Sequence, residues 1–169
     1  LNVGFKLGPA LASGCSIIIK PSALSPLSAY ILGKIIHDID FPAGVVNILS
    51  GPTREVATTL SKSKIPSVLT MIGSTATGQR VIADSVTSIK KLSMELGGNA
   101  PFIVFEDADI DKALNLAVGI KFGNSGQICV AANRFFVHKS LYNSFLEKYV
   151  ERVNNLKLGF GINQKPDMG

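Results

Sequence analysis

The stretch VLTMIGSTATGQRVIADSV, residues 68–86, predicts the fold class of this chain. Its first five residues are apolar or β-branched and bounded by turn residues, which is typical of a buried strand. Gly73-Ser74 follows, and a helical pattern then extends to about Val86. We expect Ser74 or Thr75 to cap that helix with its hydroxyl group. A strand, a glycine turn and a capped helix together indicate one βα unit of an α/β protein.

The same alternation continues on both sides of this stretch. Apolar or β-branched runs predict further strands at 16–20, 45–49, 92–96, 102–105 and 134–137. Apolar residues at helical spacing predict helices at 27–39, 55–60, 109–122 and 141–153. This order predicts an α/β fold with a mainly parallel sheet. The Gly97-Gly98 turn is the expected boundary between two sub-regions, residues 1–95 and 96–169.

Composition excludes several classes of protein. The 169 residues are 46% hydrophobic and 17% charged, which is not the composition of a disordered chain. No apolar run approaches the ~18–20 residues that span a bilayer, so no membrane association is expected. The net charge of +5 comes from scattered lysines without an arginine-rich run, which argues against nucleic acid as a partner. A mean hydropathy of +0.32 fits a piece of a larger protein whose apolar faces meet partners.

Cysteine and histidine usage excludes a disulfide scaffold and a zinc site. Cys15 and Cys129 have no CxxC spacing and no neighbouring histidine, so we expect an intracellular, cytoplasmic protein without a bound metal. Gly4, Gly8 and Pro9 interrupt the segment before Cys15, which is unlike a lipoprotein leader, and no element is assigned before residue 16.

Residues 73–80, GSTATGQR, have the spacing of a loop that binds phosphate at a helix N-terminus. Gln79 stands where a P-loop NTPase carries lysine, which weakens that alternative because the lysine contacts the β- and γ-phosphates. A general pyrophosphate-binding helix start and an ordinary capped helix both remain open.

Cys129 and Glu95 are the candidate catalytic residues. Cys129 follows Gly126-Gln127-Ile128 in a segment whose small residues allow close approach of a ligand, although a free cysteine can equally be a small buried hydrophobe, as we expect for Cys15. Glu95 lies in an apolar strand just before Gly97-Gly98, where desolvation would suit a general base near neutral pH. A strand-end carboxylate facing solvent is the alternative. Lys20, at the end of a strand, is either a cofactor ligand or a lysine extending to solvent.

Four motifs in this order and spacing resemble the aldehyde dehydrogenase superfamily over the whole chain. They are Lys20-Pro21-Ser22, Gly73-Ser74-Thr75, Glu95-Leu96-Gly97-Gly98-Asn99 and Gly126-Gln127-Ile128-Cys129. The sequence after Glu95 looks most like the succinate-semialdehyde dehydrogenases, whereas residues 74–80 also resemble archaeal glyceraldehyde dehydrogenases. The resemblance covers the central segment of a member. It implies part of a Rossmann-like NAD(P)-binding domain in residues 1–95 and part of the α/β catalytic domain in residues 96–169.

The resemblance also implies roles for individual residues. Cys129 would attack the aldehyde to form a thiohemiacetal that passes hydride to nicotinamide, and Glu95 would activate the water that hydrolyses the thioester. The Cys129 backbone N–H would form half of the oxyanion hole. The implied cofactor-binding residues are Lys20 for the adenosine ribose, Ser74 for the pyrophosphate, Gly97 for the approach of the nicotinamide, and Ser22 and Gly73 beside them.

Two departures from the family pattern affect these expectations. Ala23 stands where NAD-preferring members often carry glutamate, so NADP is at least as suitable as NAD because no carboxylate would repel a 2′-phosphate. Ala131 stands where some succinate-semialdehyde enzymes have a second cysteine, which argues against a redox switch with Cys129.

The family motifs that complete the oxyanion hole and hold the nicotinamide ribose would lie upstream of Leu1 and beyond Gly169. We therefore expect little or no turnover from these 169 residues alone. The alternative to an active enzyme is a catalytically inactive fragment that at most binds nucleotide. The implied partners are a small aldehyde substrate and, in the full-length protein, further copies of the chain in a homo-oligomer.

Overall fold

The computed structural model describes residues 2–162 and 165–169. It forms two compact units, Leu1–Leu96 and Gly97–Gly169. Strands and helices alternate along both units, which confirms the predicted α/β class. Within the described residues, no helix is both long enough and apolar enough to cross a membrane.

The first unit consists of four helices that alternate with four strands. Its helices are α1 Gly4–Ala12, α2 Leu27–Asp38, α3 Thr53–Lys62 and α4 Thr75–Asp84, and a 3₁₀ turn, Ser85–Thr87, follows α4. Its strands are β1 Ile17–Ile19, β2 Val46–Ile48, β3 Val68–Ile72 and β4 Lys91–Glu95. β1 pairs with β2 and β3 pairs with β4, and both pairs are parallel. The β-branched triplet of β1 suits this pleated, half-buried pairing.

The helix α1 differs from the sequence analysis, which placed no element before residue 16. Pro9 lies inside this helix, where it cannot donate a backbone hydrogen bond. The helix ends in two hydrogen bonds, from Ser13 N–H to the Pro9 carbonyl at 3.1 Å and from Cys15 N–H to the Ala10 carbonyl at 2.9 Å. These bonds lead the chain directly into β1, so a helix forms here despite the poor helix propensity of glycine and proline.

The second unit is built on one parallel strand pair and two helices. Its elements are β5 Ala100–Val104, α5 Ile110–Phe122, a 3₁₀ turn Gly123–Gly126, β6 Ala132–Val137 and α6 Tyr142–Asn154. Its core is Val104, Leu114, Ala117 and Phe145. Phe135 and Tyr149 pack beside that core in a tilted arrangement, with ring centroids 5.4 Å apart, and burial raises the pKa of the Tyr149 phenol. Leu114 is fully buried at the centre.

We expect Leu114→Ala to lower the free energy of unfolding by about 2–5 kcal/mol, because it removes buried methyl groups and leaves a cavity. Leu116 lies on the same helix and is 59% exposed, so Leu116→Ala is the matched control. It should change stability by about 0.5 kcal/mol or less. Urea denaturation followed by circular dichroism measures both variants. Equal losses in the two variants would contradict the assignment of Leu114 to the core.

Asp109 caps α5, accepting hydrogen bonds from the backbone N–H groups of Asp111 at 3.2 Å and Lys112 at 3.1 Å. These bonds, first of all the one from Lys112, lower the pKa of Asp109. A carboxyl whose pKa is lower in the folded state stabilises the fold above its unfolded pKa, and the stabilisation disappears as pH falls through the folded value.

We expect Asp109→Asn to keep the cap and to remove this pH dependence, because asparagine caps helices but does not titrate. The Tm of the parent protein should therefore exceed that of the variant at neutral pH, and the gap should close on acidification to about pH 3. Thermal melts at several pH values measure the gap. A gap that does not change with pH is the contrary outcome.

Candidate active site

The carboxyl ends of β3 and β4 bring two of the predicted site residues together. The parallel register pairs Ile72 with Glu95, and the Gly73 N–H donates to the Glu95 carbonyl at 3.0 Å. Because parallel strands end at the same edge of the sheet, Gly73 and Glu95 are neighbours although they are 22 positions apart along the chain. This edge is where ligands bind in open α/β sheets.

Ser74 caps α4, as the sequence predicted. Its Oγ accepts a hydrogen bond from the Thr77 N–H at 3.2 Å and lies 2.9 Å from the Thr77 hydroxyl. The remaining N–H groups of the first turn and the helix dipole favour an anion at this end of α4. Ser74 and Gly73 are both exposed, so a ligand phosphate can reach them.

Gly78 fixes α4 against the segment that follows Glu95. It is buried, and a methyl group on its Cα would lie 2.8 Å from Leu96 Cδ2. A side chain at this position would therefore require the Leu96 side chain to move. No role was expected for Gly78, although a glycine one turn after the Ser74 cap indicates that the helix packs closely there.

Lys20 and Ser22 lie beside a cavity of about 200 Å³ in the first unit. The cavity is lined by Pro21, Ser22, Ala23, Pro26, Tyr30, Ser50 and Gly51. Lys20 follows β1 and is half-buried, with its Nζ donating to the Pro21 carbonyl at 3.0 Å. Ser22 Oγ accepts from the Leu24 N–H at 3.2 Å, so this hydroxyl also shapes the loop after the strand.

Glu95 follows the solvent-facing alternative, and Cys15 differs from expectation in its exposure. Glu95 is exposed, and the apolar residues beside it in the sequence do not enclose its carboxylate. In the part of the chain that the structure describes, β4 pairs only with β3, and alternation along a strand turns neighbouring side chains to opposite faces. Cys15 is exposed as well, because it lies in the turn between α1 and β1 and not in the strand itself.

Cys129 lies in the second unit, in the segment between α5 and β6, and its thiol is exposed. Ahead of it, Asn124, Ser125 and Gly126 adopt left-handed backbone conformations with φ of 51°, 55° and 76°. Non-glycine residues in that region are uncommon and persist only where the surroundings hold them. Such a backbone turns sharply and exposes the residues that follow it.

Gly98 brings the diglycine segment against Cys129. A methyl group on the Gly98 Cα would lie 3.2 Å from the Cys129 carbonyl oxygen, closer than ordinary van der Waals contact. The next residue is also held, because Arg134 Nε donates to the Asn99 carbonyl at 3.2 Å. In the described residues, nothing lies within 4 Å of the corresponding position on Gly97. Sequence analysis assigned a role to Gly97 and none to Gly98, although both belong to one motif.

Histidine, cysteine and carboxylate side chains are the groups that hold metal ions in proteins. Among the described residues, no group of three histidine, cysteine, aspartate or glutamate side chains is arranged to hold a metal ion. His37 is exposed on α2, and His138 is half-buried with Nδ1 2.8 Å from the Ser140 hydroxyl.

Comparison with known proteins gives one family. The model of the aldehyde dehydrogenase family matches residues 1–169. A mitochondrial succinate-semialdehyde dehydrogenase of Oryza sativa is 42% identical over 97% of this chain and 31% of the relative. The NADP(+) succinate-semialdehyde dehydrogenase GabD of Escherichia coli is 42% identical over 97% of this chain and 34% of the relative.

A solved structure gives the same result. The crystal structure of succinate-semialdehyde dehydrogenase from Burkholderia pseudomallei has a TM-score of 0.90 and 42% identity, covering 97% of this chain and 34% of that one. The chain therefore spans about a third of the length of the relatives that it matches.

We expect Gly98→Ala to destabilise the protein by about 1–3 kcal/mol, because the added methyl group must displace the Cys129 carbonyl or the diglycine backbone. Gly97→Ala is the matched control, since space is open there; it should be neutral or stabilise by up to about 1 kcal/mol. Denaturant unfolding of the two variants distinguishes these outcomes. If both alanines had the same effect, Gly98 would not be in close contact with Cys129.

Proposed function

Because the chain belongs to the aldehyde dehydrogenase family, we propose that it carries the nucleophile and general base of an NAD(P)-dependent aldehyde oxidation. The observation that carries this proposal is the close approach of Gly98 to the Cys129 carbonyl, which brings two of the recognised motifs together in one unit. The exposed Cys129 thiol beside this contact is accessible to a small carbonyl compound.

In this proposal the first unit binds the cofactor and the second carries the nucleophile. Residues 1–95 are part of a Rossmann-like NAD(P)-binding domain, and residues 96–169 are part of the catalytic domain. The first assignment is supported by the capped N-terminus of α4 and by the cavity beside Lys20, which both suit a dinucleotide. The second is supported by the presence of Cys129 and its glycine neighbours in the second unit.

The residues of the first unit fit NADP or NAD. Ser74 and the first-turn N–H groups of α4 would bind the pyrophosphate, with Gly73 giving close backbone access. Lys20 and Ser22 would bind the adenosine ribose. Ala23 lines the cavity without a negative charge, so a 2′-phosphate would meet the Lys20 ammonium and no carboxylate. The name of the Escherichia coli relative, which specifies NADP(+), is consistent with this preference.

The chemistry assigned to the chain's own residues has two stages. The Cys129 thiolate adds to the aldehyde carbon and forms a thiohemiacetal, whose oxyanion accepts a hydrogen bond from the Cys129 backbone N–H. Gly97 would let the nicotinamide of NAD(P)⁺ approach, and the cofactor would supply the hydride acceptor for that carbon, so that a thioester would remain on Cys129. Glu95 then takes a proton from water as the water oxygen attacks the thioester, releasing the carboxylate product and the Cys129 thiolate.

The substrate in this proposal is a semialdehyde or a small hydroxyaldehyde. The names of the rice and Escherichia coli relatives support a semialdehyde. Exposure of Glu95 is compatible with its role, since the base must reach both water and the thioester.

The proposal is tested in the full-length protein, because little turnover is expected from residues 1–169 alone, by two substitutions that differ in their initial burst of reduced cofactor. Cys129→Ala should lower turnover by about 10⁴-fold or more, because no covalent intermediate forms without the nucleophile. Glu95→Gln should lower steady-state turnover by about 10²–10⁴-fold and still give an initial burst of reduced cofactor, because the thioester forms but is not hydrolysed. Succinate semialdehyde and glyceraldehyde are the substrates, each with NADP and with NAD, and absorbance of the reduced cofactor is the readout.

Cys15→Ala is the matched control and should keep the parent rate, because Cys15 lies in the first unit, in the turn before β1. Mass spectrometry of Glu95→Gln should find the acyl group on Cys129. Turnover that survives Cys129→Ala would overturn the proposal. Cofactor binding without any burst in the parent protein would favour the inactive, nucleotide-binding alternative.

A further inference from the structure

We propose that Lys121 and Asn133 are positioning residues for Cys129, joined in a clamp that closes the segment 122–132 at its base. The inference rests on the proposed function, in which Cys129 is the nucleophile. It adds two residues that contact neither substrate nor cofactor in that mechanism and that act through the backbone carrying the thiol.

The clamp is one hydrogen bond across the ends of the Cys129 segment. Lys121 Nζ donates to Asn133 Oδ1 at 2.8 Å, and the two residues are 12 positions apart. Lys121 lies in the last turn of α5, and Asn133 lies near the start of β6. Cys129 is carried between them, so the bond fixes the distance between the two points where its segment leaves regular structure.

The strand end of the clamp depends on an irregularity in the β5–β6 pair. Ala100 pairs with Ala132 and Pro101 pairs with Arg134, so the register shifts at Asn133. Such a shift bends a strand and redirects the side chain at the extra residue. Ala131 and Ala132 just before it are 4% and 2% exposed, which anchors this end of the segment in the second unit.

The helix end of the clamp supports the left-handed turn before Cys129. A methyl group on the Gly126 Cα would lie 3.1 Å from the Lys121 carbonyl oxygen, so the turn folds back directly onto Lys121. Asn124 Nδ2 donates to the Gln127 carbonyl at 2.9 Å and continues the turn toward Cys129. Lys121 thus contacts the segment twice, through its carbonyl at Gly126 and through its ammonium at Asn133.

The clamp matters for chemistry because Cys129 is exposed and is not held by core packing. A nucleophile displaced by about 1 Å can lose about 10²-fold in rate. A backbone that contains two non-glycine residues at positive φ would relax toward ordinary conformations once released. Loss of the clamp should therefore lower the chemical rate while leaving the first-unit residues, and the binding of cofactor, unchanged.

The test is a double-mutant cycle with matched controls, all assayed for aldehyde oxidation in the intact protein. Lys121→Met and Asn133→Leu should each lower kcat by about 10–100-fold with the KM for NADP unchanged. The double variant should be no slower than the slower single variant, because both remove one bond. Asn133→Asp should keep kcat near the parent value, since a carboxylate also accepts from Lys121.

Lys112→Met is the control for loss of a lysine from α5. Lys112 makes a contact of similar length, 3.1 Å to Asp109, at the opposite end of the same helix. Its kcat should equal that of the parent, and its change in Tm sets the scale for a purely structural effect. The Tm change of Lys121→Met should not exceed that scale.

The clamp is overturned if Lys121→Met is as active as Lys112→Met, if the losses add in the double variant, or if Asn133→Asp is as slow as Asn133→Leu. It is also overturned if the loss of rate follows a loss of Tm that exceeds the control. Cys129→Ala separates the two proposals. If Cys129→Ala is inactive and Lys121→Met is as active as the parent, only the clamp proposal is contradicted. If Cys129→Ala is active, the chemistry assigned under the proposed function is contradicted as well.

Discussion

Parallel pairing of neighbouring strands is the constraint that positions the candidate residues within each of the two units. It aligns like ends of strands that are far apart in sequence, and each of the three strand pairs in the described chain is parallel. In the first unit, the residues assigned to the cofactor and to the base follow the carboxyl ends of β1, β3 and β4. In the second unit the residues assigned to the reaction lie at the other ends of the strands: Gly98 precedes β5 and Cys129 precedes β6.

In the part of the chain that the structure describes, the segments before β5 and β6 lack the backbone ladder bonds that hold the chain after β3 and β4. At the carboxyl ends of β3 and β4, the strand ladder itself extends to the Gly73–Glu95 hydrogen bond, and α4 is capped by Ser74. At the amino ends of β5 and β6, the ladder has not yet begun. There, side-chain hydrogen bonds hold the chain: Arg134 donates to the Asn99 carbonyl, and Lys121 of α5 donates to Asn133 near the start of β6.

Much of this arrangement is predictable from sequence because periodicity and turn chemistry are local. Strand β3, the Ser74 cap and the Asp109 start of α5 follow from such local patterns. Exposure is not local. The apolar neighbours of Glu95 suggested burial, yet alternation along the strand and pairing on one side leave its carboxylate in solvent. Helix α1 shows a second difference. Its Gly4, Gly8 and Pro9 are poor helix formers, yet the segment is helical and ends in the turn that leads into β1.

The diglycine Gly97-Gly98 illustrates the limit of motif reasoning in physical terms. One motif supplies two glycines, but the surroundings require them for different reasons. Gly98 is needed for its lack of a side chain toward the protein, because the Cys129 carbonyl occupies the adjacent space. At Gly97 that space is open in the described residues. One motif therefore places two adjacent glycines in different surroundings, which residue identity alone does not distinguish.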